Sequence, residues 1–279
     1  MIARRAFLAG AALGLALPRA VWAASSRLTL SGTLEQGALI VGKTPSGTKV
    51  SLDGTSLHVG PTGEFAFGFA YDQAKPVALT AAYADGTSET QNLIPAPRRY
   101  EVQRITGLPE KFVTLPPEVL ERRKREVAMI ADARKRDSDG DGFTQPFDWP
   151  VAGIVSGLYG SQRILNGEPR APHLGVDIAA PAGTPIHAPA SAVVSLASPD
   201  FYLEGGLTIL DHGHGVSTCY LHQSKQLVKL GDSVDRGQVI GLIGMTGRAT
   251  GPHTHWGLNW FQVALDPSCS TRTPLPPKA

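Results

Sequence analysis

Cysteine is nearly absent from this chain. Its 279 residues include two, Cys219 and Cys269, so at most one bridge can form. Such sparing use fits an exported protein, in which an oxidising compartment would let the pair join; the alternative is two free buried thiols. A surplus of charge of either sign is also lacking. Lys and Arg together number 26 against 24 Asp and Glu. Loss of an export signal carrying Arg4, Arg5 and Arg19 leaves 23 against 24, a net charge of about −1. Without a basic surplus to hold phosphates, nucleic acid is excluded as a partner class. Long apolar runs are missing too: the stretch from Phe7 to Leu17 falls well short of the ~20 residues needed to cross a bilayer, which excludes a stable membrane span.

That same stretch has a different use. Residues 1–24 combine a basic start, an apolar middle and Val21-Trp22-Ala23 as a small-residue cleavage site, the pattern of a secretory signal peptide. Arg4-Arg5-Ala6-Phe7-Leu8 also resembles a twin-arginine export motif, although Ala3 and Ala9 depart from it and leave ordinary export open. The expected location is periplasmic or extracellular.

Residues 25–105 carry short alternating runs, among them Ala38-Leu-Ile-Val, Lys49-Val-Ser-Leu-Asp, Glu64-Phe-Ala-Phe-Gly-Phe and Val77-Ala-Leu-Thr-Ala-Ala-Tyr. Turns such as Asp53-Gly54 and Asp85-Gly86 separate them, which predicts a small immunoglobulin-like β-sandwich. Its role is open between gripping a substrate or partner, covering a groove, and spacing. Residues 106–148 read as a helical linker. A helix from Glu118 to Arg136 should start after Pro116-Pro117, with Leu120, Val127, Ile130 and Ala131 as its apolar stripe. Within the linker Asp137, Asp139, Asp141, Gly142 and Asp148 imitate a calcium loop. Pro146 and Pro150 forbid the exiting helix of that motif, which favours an ordinary polar loop.

The remaining stretch, 149–279, holds the chemistry. His173-Leu-Gly-Val-Asp177 and Pro252-His253-Thr-His255-Trp256 lie about eighty residues apart, and each sits where a loop feeds a strand-like apolar run. Two histidines at i and i+2 share one face of a strand, so they can converge on a metal. A catalytic zinc takes three protein ligands and keeps one position open; if His173, Asp177, His253 and His255 all bound it, the shell would be closed. One of the four should therefore be free. The chain has no His-Glu-x-x-His, so histidine must stand where that arrangement has its glutamate base.

Four ordered segments carry a resemblance. They are His173-Leu-Gly-Val-Asp177, Pro181-Ala-Gly-Thr-Pro-Ile-His-Ala-Pro189, Asp211-His-Gly-His-Gly-Val-Ser-Thr-Cys-Tyr-Leu-His222, and Gly241-Leu-Ile-Gly-Met-Thr-Gly-Arg-Ala-Thr-Gly-Pro-His-Thr-His255. From about Trp149 to Pro267 the chain resembles the lysostaphin-type (LytM-like) zinc metallopeptidases that cut peptidoglycan. The resemblance implies His173, Asp177 and His255 as ligands of Zn2+, with His222 and His253 serving the chemistry. It also implies an exported zinc endopeptidase acting on peptide cross-links of peptidoglycan, with D-alanyl to diamino acid bonds as the expected target. Two alternatives stand beside it: a non-enzymatic activator or scaffold for other wall hydrolases, and a zinc peptidase acting on secreted peptides. A regulatory protein partner is left open.

The fold expected is mainly β, an antiparallel-sheet catalytic domain with an open groove behind the sandwich and the linker. Runs such as Ala192-Val-Val-Ser-Leu, Leu207-Thr-Ile-Leu, Val216-Ser-Thr-Cys-Tyr-Leu and Val239-Ile-Gly-Leu-Ile supply its strands. Gly157 to Arg170 should line one wall, with Gln162, Arg163 and Asn166 available to a substrate carboxylate or amide. His212 and His214 read as a hairpin tip facing solvent or the groove rim, and His58 and His187 as surface or strand histidines. Alternation from His222 puts Tyr220 on the face of the site and Cys219 on the other.

Overall fold

A computed structural model describes residues 27–107, 115–274 and 276. The export segment 1–24 and the linker stretch 108–114 lie outside the described residues.

The protein is mainly β with one described α-helix. The amino-terminal strands are β1 (Thr29–Ser31), β2 (Leu39–Lys43), β3 (Lys49–Leu52), β4 (Thr55–Ser56), β5 (Glu64–Gly68), β6 (Val77–Ala82) and β7 (Ser88–Leu93). They form two small antiparallel sheets, ordered β1-β2-β5 and β4-β3-β6-β7. Period-2 alternation sorts their side chains. Ile40, Phe65 and Phe67 join Val50, Leu79 and Ala81 in a core shared by both sheets. Leu39 and Ala66 face the other way and enter the core of the carboxyl-terminal half. Strand β7, Ser-Glu-Thr-Gln-Asn-Leu, has no apolar alternation to announce it and is held by its register with β6.

After β8 (Val102–Ile105) comes helix α1 (Pro117–Ala133), with Pro116 as its N-cap and Pro117 at its first position, where a missing N–H costs nothing. The expected apolar stripe is not the buried one. Leu120 and Val127 are 43% and 52% exposed, while Glu126 is 5% exposed. Glu126 accepts from Arg122 Nε at 2.7 Å, Arg123 Nη1 at 2.6 Å and the Tyr202 backbone N–H at 2.9 Å. An ion-pair cluster thus docks the middle of the helix, and Ile130 and Ala133 dock its end on Leu196, Ile209 and Cys219.

The remaining strands are β9 (Ile154–Gly157), β10 (Gln162–Leu165), β11 (Glu168–Pro169), β12 (Val176–Ala179), β13 (Pro185–His187), β14 (Ala192–Phe201), β15 (Gly205–Gly213), β16 (Val216–Gln226), β17 (Ser233–Val234), β18 (Val239–Ile243), β19 (His253–Trp260) and β20 (Val263–Leu265). Ten of them make one antiparallel sheet along the path β17-β14-β15-β16-β19-β12-β9, with β13, β18 and β20 attached beside it. All nine residues of β15 are buried, because the sheet is covered on both faces. Tyr220, Trp256 and Ile178 belong to one core and Leu207, Ile209 and Cys219 to another. A third small sheet, β11-β10-β8, joins residues 102–105 in parallel to the strand carrying Arg163.

The loop 137–143 clips the two halves together and has no calcium geometry. Its Asp137 and Asp139 hold the two ring nitrogens of His58 at 2.7 and 3.1 Å, while Asp148 pairs with Arg272. His58 stacks on His214 with ring centroids 3.9 Å apart. His212 and His214 do flank the β15–β16 hairpin tip, but they are buried, because the 137–143 loop and His58 cover that tip. The two cysteines are free: Cys219 lies under α1, and Cys269 beside Glu35 and Arg98.

Candidate metal centre

The sheet register brings the distant motifs together. Asp177 on β12 pairs directly with His255 on β19, so their side chains share a face. His173 approaches from the loop before β12, its backbone N–H donating to the Ser161 carbonyl at 2.8 Å. Two glycines make room. A Cβ on Gly175 would lie 2.5 Å from the His255 ring, and one on Gly157 would lie 2.6 Å from Asp177 Oδ2.

Three atoms then converge. His173 Nε2 lies 2.8 Å from His255 Nδ1 and 3.0 Å from Asp177 Oδ1, and His255 Nδ1 lies 2.9 Å from the same Oδ1. His173 and Asp177 are buried. The Nδ1–H of His173 donates to the Leu158 carbonyl at 3.1 Å, which leaves Nε2 as the ring's lone-pair atom. Burial would raise the Asp177 carboxyl, but its close polar contacts with the His173 and His255 rings outweigh that and hold it well below the ordinary range. Burial pushes His255 down to about 4. An ionised carboxylate and neutral imidazoles are the protonation states that ligands need. Donor atoms with lone pairs turned on one another call for a cation between them, and two imidazoles with one carboxylate form a donor set suited to zinc, with a fourth position left to solvent or substrate. The residues present therefore fit the metal. Among the described residues, this is the cluster of three donors close enough to hold one.

His253 and His222 stand just outside the triangle. His253 Nε2 is 4.0 Å from Asp177 Oδ1, and the His253 and His222 rings are 4.7 Å apart between centroids. Both are tied in the same sense: Nδ1–H of His253 donates to the Gly251 carbonyl and Nδ1–H of His222 to that of Thr246, each at 2.8 Å. Their Nε2 atoms are thereby left as proton acceptors. Burial, reinforced by the neighbouring His253, pushes His222 down to about 3 and keeps it neutral.

His222 has a left-handed backbone, φ 65°. That conformation costs a non-glycine residue roughly 1–2 kcal/mol and is held here by a hydrogen bond from its N–H to the Glu204 carbonyl at 2.8 Å. The break in alternation corrects one expectation. Cys219 pairs with Gly257 and Leu221 with His255, so these lie on the face of the site, whereas Tyr220 pairs with Trp256 in the opposite core.

The centre opens into a cavity of about 420 Å³. Arg163 and Arg170 line it, as expected for a wall built from 157–170, together with Leu203, Glu204 and Arg248. Gln162 instead folds back on the carbonyls of Arg163 and Arg170, and Asn166 takes a turn position at φ 49°. None of residues 27–100 lines the cavity; of the residues before α1, Ile105 does. The amino-terminal sheets dock elsewhere, against Tyr159, His214 and Leu265, so they do not cover the centre. Arg248 and Glu204 went unnoticed in the sequence. The available signal was a charged residue framed by glycines in Gly247-Arg248-Ala-Thr-Gly251, immediately before the strand that carries His253 and His255.

Residues 171–267 match the pattern of Peptidase family M23. The chain is 40% identical over 131 residues to the peptidoglycan DD-endopeptidase ShyA of Vibrio cholerae, an alignment covering 46% of this chain and 30% of ShyA. It is 42% identical over 84 residues to the DD-carboxypeptidase/endopeptidase Mpg of Neisseria meningitidis, covering 30% of this chain and 19% of Mpg. The chain thus spans under a third of the length of these curated relatives. A crystal structure of an M23 peptidase from Pseudomonas aeruginosa superposes with a TM-score of 0.64 and 30% identity, covering 84% of this chain and 93% of that one. With the matched stretch enclosing the whole triad and the shared fold extending over both halves, the chain belongs to peptidase family M23.

Proposed function

We propose that this protein is an exported zinc endopeptidase that hydrolyses peptide cross-links of peptidoglycan in the cell envelope, with the D-alanyl to diamino acid bond as its target. One observation carries this reading: three converging ligand atoms stand beside two imidazoles whose Nδ1 hydrogens are both tied to carbonyls, leaving both Nε2 atoms as acceptors. His173, Asp177 and His255 would hold zinc, which would supply Lewis acidity toward the scissile carbonyl and lower the pKa of water. The protein's own groups do the rest. Nε2 of His253 or His222 accepts the proton of the attacking water, and the same imidazole, once protonated, donates to the developing oxyanion or to the leaving amine.

The cavity is partly open to solvent, which lets a segment of a larger polymer enter it. ShyA and Mpg, the relatives named above, are an endopeptidase and a carboxypeptidase/endopeptidase of the DD class, which favours the D-alanyl bond here. The intact triad favours catalysis over a scaffolding role. Among the described residues, no helix is long and apolar enough to cross a membrane. An export signal at 1–24, read as twin-arginine-like, would deliver the chain to the periplasm. The amino-terminal strands, read as an immunoglobulin-like module at 25–105, and the helical linker at 106–148 would brace the peptidase domain at 149–279 and offer a surface to a regulatory protein.

The test is direct. Purified sacculi incubated with zinc-loaded mature protein should lose cross-linked dimers, and soluble oligopeptides of ordinary L-residues should be cut far more slowly. Unchanged dimer content would overturn the assignment.

A further inference from the structure

Helix α1 lies outside the stretch 171–267 that matches the family, yet it is tied to the turn from which His222 hangs. Three of its residues reach the end of β14 and the turn into β15. Arg122 Nη2 donates to the Asp200 carbonyl at 2.7 Å, and the Tyr202 backbone N–H donates to Glu126 Oε1 at 2.9 Å. Arg123 grips both carboxylate oxygens of Glu204, from Nη1 at 2.6 Å and from Nη2 at 3.1 Å. Its Nη1 also donates to Glu126 Oε2 at 2.6 Å, which joins two of these links in one guanidinium. The side chains of Arg123, Glu126 and Glu204 are 12%, 6% and 16% exposed, so solvent screens their attraction little. Burial alone would lower the Arg123 guanidinium, but its bonds to Glu204 and Glu126 outweigh that and raise it.

The far side of the same turn sets His222 at two points. The Glu204 carbonyl accepts from the His222 backbone N–H at 2.8 Å, where the chain takes its left-handed conformation. The Gly206 N–H donates to Thr246 Oγ1 at 2.9 Å, and the Thr246 carbonyl accepts from Nδ1–H of the His222 ring at 2.8 Å. Gly205 packs against Thr246 with no room for a Cβ. Residues 204–206 therefore govern both the backbone and the ring of His222. A left-handed non-glycine residue persists only where its surroundings over-determine it. A turn free to shift lets His222 relax toward the extended region, carrying its ring away from that of His253.

We propose that Arg123 is a positioning residue for the peptidase reaction: its two-point grip on Glu204 holds the β14–β15 turn and, through it, the imidazole of His222. This inference rests on the peptidase reading above and adds a working part from outside the matched stretch. The forked, charge-assisted geometry fixes the orientation of the Glu204 side chain as well as its distance, which a single point charge does not. Arg123 does not line the cavity, so it acts on turnover only through what it holds. Glu204 also bears by its charge on Arg248, a second route into the cavity that bypasses His222. The two routes differ in one respect: only the first disappears with the His222 imidazole.

The experiment places Arg123→Gln in the full mature chain, alone and together with His222→Ala, and follows one synthetic cross-linked peptide. Arg123→Gln should keep one zinc per chain and a KM within about twofold of the wild type, and lower kcat by roughly 10–100-fold, the cost of a misplaced catalytic group. Arg123→Lys, which keeps the charge and loses the fork, should recover part of that. In the His222→Ala background Arg123→Gln should cost nothing further, because its effect runs through the missing imidazole. Hydrogen exchange gives a readout independent of turnover: the His222 backbone N–H should exchange about tenfold faster in Arg123→Gln, while the amides of β12 keep their rates. Should Arg123→Gln not fold, Arg123→Lys decides by the same measurements. Unchanged kcat, an equal loss in both backgrounds, or unaltered exchange at His222 relative to β12 overturns the brace and leaves the peptidase reading standing. No cleavage by the zinc-loaded wild type overturns the peptidase reading, and the exchange comparison then decides the brace by itself.

Discussion

Arg163 donates from Nη2 to Oδ2 of Asp177 at 2.7 Å, while Oδ1 of the same carboxylate faces His173 and His255. One carboxylate thus spans a ligand position and its outer support. The arginine fixes the rotation of the carboxyl group, so Oδ1 stays aimed at the centre. Arg163→Gln should weaken zinc binding about 10–100-fold, the usual cost of losing an outer partner of a ligand, and competition against a chelating dye would measure it. Unaltered affinity would mean that β12 orients Asp177 without help.

On the proposed reading, the two tethered imidazoles of His222 and His253 serve the chemistry and not the metal. His173→Ala removes a ligand and should abolish both zinc stoichiometry and turnover. His222→Ala should keep one zinc per chain and lower kcat by about 10²–10⁴-fold, the range for loss of a positioned proton acceptor. Metal analysis and single-turnover hydrolysis of the same preparations tell the cases apart. Full activity in His222→Ala would leave His253 as the sole proton carrier.

Much of this centre was legible in the sequence, for identifiable physical reasons. His173, Asp177, His253 and His255 flank strand entries, and strand pairing converts i, i+2 spacing into a shared face whatever happens elsewhere. Pro116-Pro117 marked the start of α1 because proline tolerates few other helix positions. What stayed hidden depends on long-range contacts. Burial of His214 is set by His58, more than 150 residues upstream, and by a loop that resembles a calcium site only in composition. The face occupied by Cys219 followed wrongly from alternation, since His222 leaves the extended region and resets the phase. Strand β7 is polar along nearly its whole length and exists because β6 pairs with it.

Helix α1 makes the same point in energy. Hydrophobic periodicity assigns Leu120 and Val127 to the interior, yet both are exposed, and the buried middle position is Glu126 between Arg122 and Arg123. Glu126→Ala takes the acceptor from the Tyr202 N–H and one carboxylate from Arg122, which keeps Asp200, and from Arg123, which keeps Glu204, and should destabilise the protein by about 1–3 kcal/mol. Leu120→Ser and Val127→Ser should each stay within about 0.5 kcal/mol of the wild type. Denaturant titrations of the three variants check the order; a larger loss from Val127→Ser than from Glu126→Ala would refute the docking described for α1.

His212 links the hairpin tip to pH. Its ring is 1% exposed, with Nδ1 3.0 Å from the Ser191 carbonyl and Nε2 2.8 Å from the Thr218 hydroxyl. Burial pushes its pKa down to about 4. In the unfolded chain the same ring titrates near 6.5, so between those values the unfolded state binds the proton and the folded state does not. The stabilisation from keeping His212 neutral is therefore complete above about pH 6.5, declines as the pH falls, and is exhausted below about pH 4, a loss of about 3 kcal/mol. Replacement by an isosteric group that does not titrate removes this slope. The unfolding free energy of His212→Gln should lie below that of the wild type at pH 7 and close on it by about 3 kcal/mol by pH 4. Other titrating groups, including those of the metal centre, contribute equally to both proteins and cancel in the difference. A gap that stays constant with pH would show that His212 carries the same charge whether folded or unfolded.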